Sequence, residues 1–160
     1  MAFKSGYYSI VRPLQCGAAL STSATLAHME KLENFGKHLG IAFQIQDDLL
    51  GITGDPEKTG KSIESDILEH KITLPLLIAC EDSQKNKERI AACYQQTELS
   101  PTDIQEMRDI LCQQTVITRA RDIASEHLDA AKQIIPILDI SNNDKILLDQ
   151  LATYLVTRAE

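Results

Sequence analysis

The sequence predicts an all-α fold, and three observations carry that prediction. Apolar residues make up 43% of the chain, but aromatics are only 4% and Trp is absent, so the core must be aliphatic. Leu, Ile and Ala dominate it, and these suit helices. Seven Gly and five Pro in 160 residues leave few turns and long elements. Apolar residues recur at three- and four-residue steps, and no alternating stretch of useful length reads as a strand. The length is that of one domain, residues 1–160.

Each element has its own signal. Ile10 to Leu20 is apolar, with Pro13 tolerable in a first turn or as a kink. From about Ala24 to Leu50, the residues Leu32, Phe35, Leu39, Phe43 and Leu50 follow helical spacing, with one longer step over Asp47. Gly36 and Gly40 lie on that helix and weaken it, which predicts close approach of a neighbouring backbone. Gly51 to Lys71 is the longest irregular stretch, with a turn at Gly54-Asp55-Pro56. Thr73 then reads as an N-cap, with Pro75 in the first turn and Leu74 to Cys80 behind it. Ser100-Pro101-Thr102-Asp103 starts a helix carrying Ile104, Met107 and Leu111. Another runs from about Thr115 to Ile135, striped by Ile117, Ala120, Ala124, Leu128, Ala131 and Ile135, and Pro136 ends it. Asn142 or Asn143 caps the last helix, which carries Leu147, Leu151, Tyr154 and Leu155.

Composition removes several classes of function. The net charge is −7 and no basic run exists to neutralise phosphates, so nucleic acid is not expected as a partner. Cys16, Cys80, Cys93 and Cys112 are scattered without metal-ligand spacing, and are expected as reduced thiols packed in a cytosolic core. His28, His38, His70 and His127 form no ligand cluster in sequence. No signal segment or membrane-length apolar run is present, so the expected location is cytoplasmic.

The chemistry concentrates between residues 40 and 71. Gln44, Asp47 and Asp48 are spaced to share a helix face near its C-terminal end. Two carboxylates there oppose the helix macrodipole and repel each other, and a divalent cation would relieve both penalties. Oxygen-only ligands suit Mg²⁺, which keeps waters and bridges to substrate phosphates. Lys61 and Lys71 bracket Asp66, and Lys4 lies near the N-terminus; together they could hold a polyanion. Gly60-Lys61-Ser62 imitates a nucleotide-binding loop. However, Gly54 and Gly60 stand one residue too far apart, and the stretch follows a helix rather than a strand.

These residues resemble a known family. Phe43-Gln44-Ile45-Gln46-Asp47-Asp48, Gly54-Asp55, Gly60-Lys61, Asp66 and Lys71-Ile72-Thr73-Leu74-Pro75 resemble the second aspartate-rich region of the trans-isoprenyl (polyprenyl) diphosphate synthases. Upstream, Lys4-Ser5-Gly6, Tyr8, Arg12-Pro13-Leu14 and Gly17-Ala18 resemble the family's Lys-Thr segment. Leu151-Ala152, Tyr154 and Arg158 resemble its C-terminal helix. The resemblance implies the C-terminal half of the isoprenoid synthase helical fold. It implies that Asp47 and Asp48 bind Mg²⁺ bridging to an allylic diphosphate, which Lys4, Lys61 and Lys71 contact. Ser5, where the family usually has Thr, and Gln44 are further substrate-binding candidates. The implied reaction ionises the allylic diphosphate, and the double bond of isopentenyl diphosphate attacks the resulting cation. A proton is then lost.

Two departures stand out. Many members end the motif Asp-Asp-x-x-Asp, and here the last position is Gly51. Members are also roughly twice this long, large for one domain. The first aspartate-rich motif and most of the isopentenyl diphosphate pocket are therefore expected outside the sequence, and Glu81-Asp82 and Asp103 do not replace them. The expected protein is a geranyl, farnesyl or geranylgeranyl diphosphate synthase fragment, inactive alone. It is expected to form a homodimer or to associate with the absent N-terminal half. The alternatives are a non-catalytic helical subunit or scaffold pairing with a full-length synthase, and a class I terpene cyclase.

Overall fold

Hydroxyl side chains start most of the helices. The structure, a computed structural model, describes residues 2–20, 25–54 and 63–157, and their side chains except at 2–5 and 63. A π-helical segment, Ala2–Val11, leads into α1 (Arg12–Ala19). Then follow α2 (Leu26–Thr53), α3 (Ile63–Leu68), α4 (Leu74–Asp82), α5 (Gln84–Tyr94) and α6 (Pro101–Leu111). The last helix pair is α7 (Gln114–Ile134) and α8 (Asn142–Thr157), joined through a 3₁₀ turn at Ile135–Ile137. Thr25, Thr73, Ser83, Ser100 and Ser141 each accept a backbone N–H of the first turn that follows. A cap of this kind stabilises its helix by about 1 kcal/mol. At α6 the cap is reciprocal, since Asp103 returns a bond to the Ser100 N–H. Ser100 and Arg89 together hold the Asp103 carboxyl down to about 2.

No strand occurs among the described residues, so the fold is all-α. None of their helices is long and apolar enough to cross a membrane. Four details depart from the sequence reading. Helix α5 carries little apolar signal and was not expected. Helix α2 runs on to Thr53, and α3 interrupts the stretch read as irregular. Ser141, rather than Asn142 or Asn143, caps α8. Cys93 is buried and Cys80 half-buried, but Cys16 and Cys112 are exposed rather than packed in the core.

Two helices also depart from their expected faces, α2 only in its C-terminal half, since Leu32, Phe35 and Leu39 are buried as expected. On α2 the buried apolar side chains are Leu32, Phe35, Leu39, Ala42, Ile45 and Leu49, while Phe43 and Leu50 are half-buried. On α8 the buried residues are Ala152 and Val156, and Leu147, Leu151 and Tyr154 face outward.

The chain divides into two compact units, Met1–Gln46 with Ile123–Glu160, and Asp47–Asp122. In the first, Phe35, Leu39, Ala42, Ala131, Ile135, Ala152 and Val156 form the core, and Ile10, Leu14 and Leu128 pack against it. Fully burying a Phe or Leu contributes about 1.5–3 kcal/mol each. The π-helical segment lies directly on α2. A Cβ on Gly40 would stand 2.2 Å from the Gly6 Cα, and one on Gly36 would meet Val11 Cγ2 at 2.7 Å. The two glycines therefore permit the backbone approach that their spacing predicted. Tyr7 ties the same contact by donating to Glu33 Oε1 at 2.8 Å, with Lys37 and Arg12 over its ring. In the second unit, α3 packs on α6, and α4 on α5 and α6.

Two tests follow from the first unit. G40A forces backbone against backbone, so it should cost at least about 1–3 kcal/mol; chemical denaturation measures the loss. The second concerns His38 and His127, whose Nδ1 atoms lie 3.0 Å apart between α2 and α7, so one ring must donate to the other. Burial, and then the neighbouring His38 charge, lower the His127 pKa below its ordinary 6.5. Around that value the unfolded chain binds more protons, so stability is complete above it and is lost as pH falls toward the folded pKa. The melting temperature should drop more between about pH 7.5 and about pH 5.5 in the wild type than in H127Q.

Candidate functional site

Asp48 is 2% exposed, although it carries a carboxylate. Its position follows from the α2 stripe: it sits beside Leu49 on the side that Ile45 and Leu49 bury. Because α2 continues to Thr53, the acids stand before its last turn, where the macrodipole has largely faded. The main cost at Asp48 is therefore desolvation rather than the dipole, and a buried carboxylate needs a cation.

Lys71 supplies that cation. Its Nζ lies 3.5 Å from Asp48 Oδ1 and 3.1 Å from Asp66 Oδ2, so one ammonium joins carboxylates from α2 and α3. Burial alone would lower the Lys71 pKa. The hydrogen bond to Asp66 and the charges of Asp48 and Asp66 outweigh it and raise the pKa above the ordinary lysine value.

The backbone at Lys71 is fastened from behind. Tyr94 on α5 donates its hydroxyl to the Lys71 carbonyl at 3.1 Å. Burial pushes the Tyr94 phenol up to about 12, so it remains a donor. The Tyr94 ring stacks on His70 at 4.8 Å. His70 has φ of 49°, a left-handed conformation that costs a non-glycine residue about 1–2 kcal/mol. The stack helps to offset that cost. Two residues later Thr73 caps α4, so the loop is held on both sides of Lys71.

Gly51 makes room for Asp66. A Cβ built on it would lie 3.1 Å from Asp66 Oδ2, tighter than ordinary van der Waals contact. Among the residues expected from the sequence, the structure thus brings together Asp48 and Lys71. Asp47 and Gln44 are half-buried on the same helix. Lys4 and Ser5 lie in the π-helical segment, and their side chains, like all of Lys61, lie outside the described residues. The sequence reading placed Asp66 between the lysines and within the family motif but gave it no ligand role, and it missed Tyr94. The five-residue interval from Asp66 to Lys71, across the end of a short helix, was the available signal for the first. Nothing in the sequence marks Tyr94.

No group of three or more His, Cys, Asp and Glu suited to a metal occurs among the described residues. Two carboxylates already sharing one cation nevertheless suit Mg²⁺. That ion commonly takes one or two protein carboxylates and completes its shell with water and substrate phosphate.

Known proteins share the sequence and the fold of this chain. The polyprenyl synthetase family model matches residues 1–111. The chain is 34% identical over 134 residues to a geranylgeranyl diphosphate synthase of Mycobacterium tuberculosis, covering 83% of this chain and 38% of the relative. It is 34% identical over 143 residues to heptaprenyl diphosphate synthase component 2 of Geobacillus stearothermophilus, covering 88% and 42%. It thus spans about two fifths of the length of these curated relatives. Among solved structures, geranylgeranyl pyrophosphate synthase from Corynebacterium glutamicum, complexed with isoprenyl diphosphate and magnesium, superposes with a TM-score of 0.82 at 30% identity. That alignment covers 98% of this chain and 44% of the synthase. The fold is therefore that of the all-α isoprenoid synthases, and the chain belongs to the polyprenyl synthetase family.

Proposed function

We propose that this chain forms the allylic diphosphate-holding part of a prenyltransferase that joins an allylic diphosphate to isopentenyl diphosphate. The observation that carries the reading is the buried Asp48 carboxylate, which shares the Lys71 ammonium with Asp66. Asp47 and Asp48 would hold Mg²⁺ next to that cluster. The magnesium and isoprenyl diphosphate bound by the Corynebacterium synthase support it. When bound, the metal would supply Lewis-acid stabilisation of the departing diphosphate. Lys71 would place a positive charge against the same oxygens. Lys4, Ser5, Gln44 and Lys61 complete the proposed substrate contacts on the strength of the resemblance. Asp66 fills the space beside Gly51, and we take it as the carboxylate that serves in place of the motif's third aspartate.

Helix α8 leaves Ile146, Leu147, Leu151 and Tyr154 exposed. Beside it Leu147 and Leu148 line a crevice of about 360 Å³ with Pro13, Leu14 and Leu32. This apolar surface supports association with further polypeptide, either a second copy or the remaining part of a synthase. It also favours a second reading, a helical subunit that pairs with a full-length synthase without binding substrate.

Calorimetry with a non-ionisable allylic diphosphate separates the readings. Binding that requires Mg²⁺ and weakens at least about tenfold in D48N, about 1.4 kcal/mol, supports the prenyltransferase site. Absence of any Mg²⁺-dependent binding supports the subunit. The Gly51 contact is tested by G51D, which crowds a second carboxylate onto Asp66. It should destabilise the metal-free chain by about 1–3 kcal/mol, with part of the loss restored by Mg²⁺ in thermal melts. An unchanged melting temperature would remove Asp66 from this role.

A further inference from the structure

We propose that Lys71 is a tethered stand-in for the metal: its ammonium holds Asp48 and Asp66 together in the metal-free chain, is displaced when a divalent ion takes those carboxylates, and then meets the diphosphate. The proposal rests on the reading of the site as a metal–diphosphate centre, and it adds competition between two cations for the same oxygens.

Three features of the geometry lead to it. First, the ammonium sits between carboxylates of two different elements, 3.5 Å from Asp48 and 3.1 Å from Asp66. A divalent ion bound to either carboxylate there would meet a like charge at close range, so the two cations compete for these oxygens. Second, one of the two carboxylates, Asp48, is buried, where a second unit of positive charge is worth more than it would be in water. A divalent ion would supply that charge. Third, the backbone of Lys71 is pinned by Tyr94, by the His70 stack and by the Thr73 cap, whereas its side chain has a flexible four-carbon stem. The ammonium can therefore leave without moving the loop, and it remains on a short tether near the metal's own ligands.

This arrangement couples two binding events. Metal arriving alone must evict a bound cation and strand it in water. Metal arriving with diphosphate gives that cation a new anionic partner. The diphosphate should then favour metal binding, and the metal should favour diphosphate to the same degree.

Mn²⁺ binding without diphosphate, read by electron paramagnetic resonance, tests the competition directly. K71Q should bind Mn²⁺ at least tenfold more tightly than the wild type, while K71R, which keeps the charge, should stay close to it. Equal affinity in all three, lost in D48N, would overturn the role of Lys71 and leave the metal site standing. Absence of Mn²⁺ binding in every variant would overturn both. Circular dichroism covers the case in which K71Q unfolds in chelator. Refolding on addition of Mn²⁺ supports the stand-in, because the metal then replaces the missing charge. A chain that stays unfolded with Mn²⁺ overturns it.

Discussion

The constraint on which the site depends is the charge of Asp48. A carboxylate withdrawn from water is tolerable only with a counter-charge and hydrogen bonds. Its place on α2 is dictated by neighbours with no chemical role: Ile45 and Leu49 are buried on the same side. Burial of the helix therefore carries the acid inward and creates the demand for a cation, which Lys71 meets. Asp66, the His70 turn, the Tyr94 bond and the Thr73 cap all serve to bring Lys71 to that one place.

Glycine does related work at two points on α2. At Gly36 and Gly40 the missing side chain admits the backbone of the π-helical segment. At Gly51 it admits a carboxylate oxygen. Each position sacrifices helix propensity, about 1 kcal/mol against Ala, in a helix long enough and buried enough to bear it. In both places the gap in α2 is filled by a group from elsewhere in the chain.

How much of this was legible in the sequence depended on whether the signal was local. Thr73 with Pro75, and Ser100 with Asp103, announce helix starts through bonds spanning three residues, and both were readable. The acidic pair was readable because an apolar run leads into it. The C-terminal half of the α2 face and the α8 face were misread because Phe43, Leu50, Leu147 and Tyr154 are apolar in type yet partly or largely exposed. Periodicity could not separate Leu147 from Leu148, since the choice depends on what lies opposite. Asp66 filling the room beside Gly51, and Tyr94 reaching Lys71, join residues whose partnership has no sequence pattern.

The motif's missing third aspartate illustrates the same point in chemical terms. Read along the chain, Gly51 is a lost ligand. In space, the volume that an aspartate at 51 would enter already holds the Asp66 carboxylate. In the proposed metal site, the charge that an aspartate at 51 would bring from α2 comes instead from Asp66 on α3. The choice still has consequences. A carboxylate on α2 would be fixed by the long helix that also carries Asp48. One on α3 rides on a helix of six residues. Its position then depends on the ion pair with Lys71, whose own loop is fastened by Tyr94. Asp66 and Lys71 thus form a single unit, and whatever draws Lys71 away also loosens Asp66.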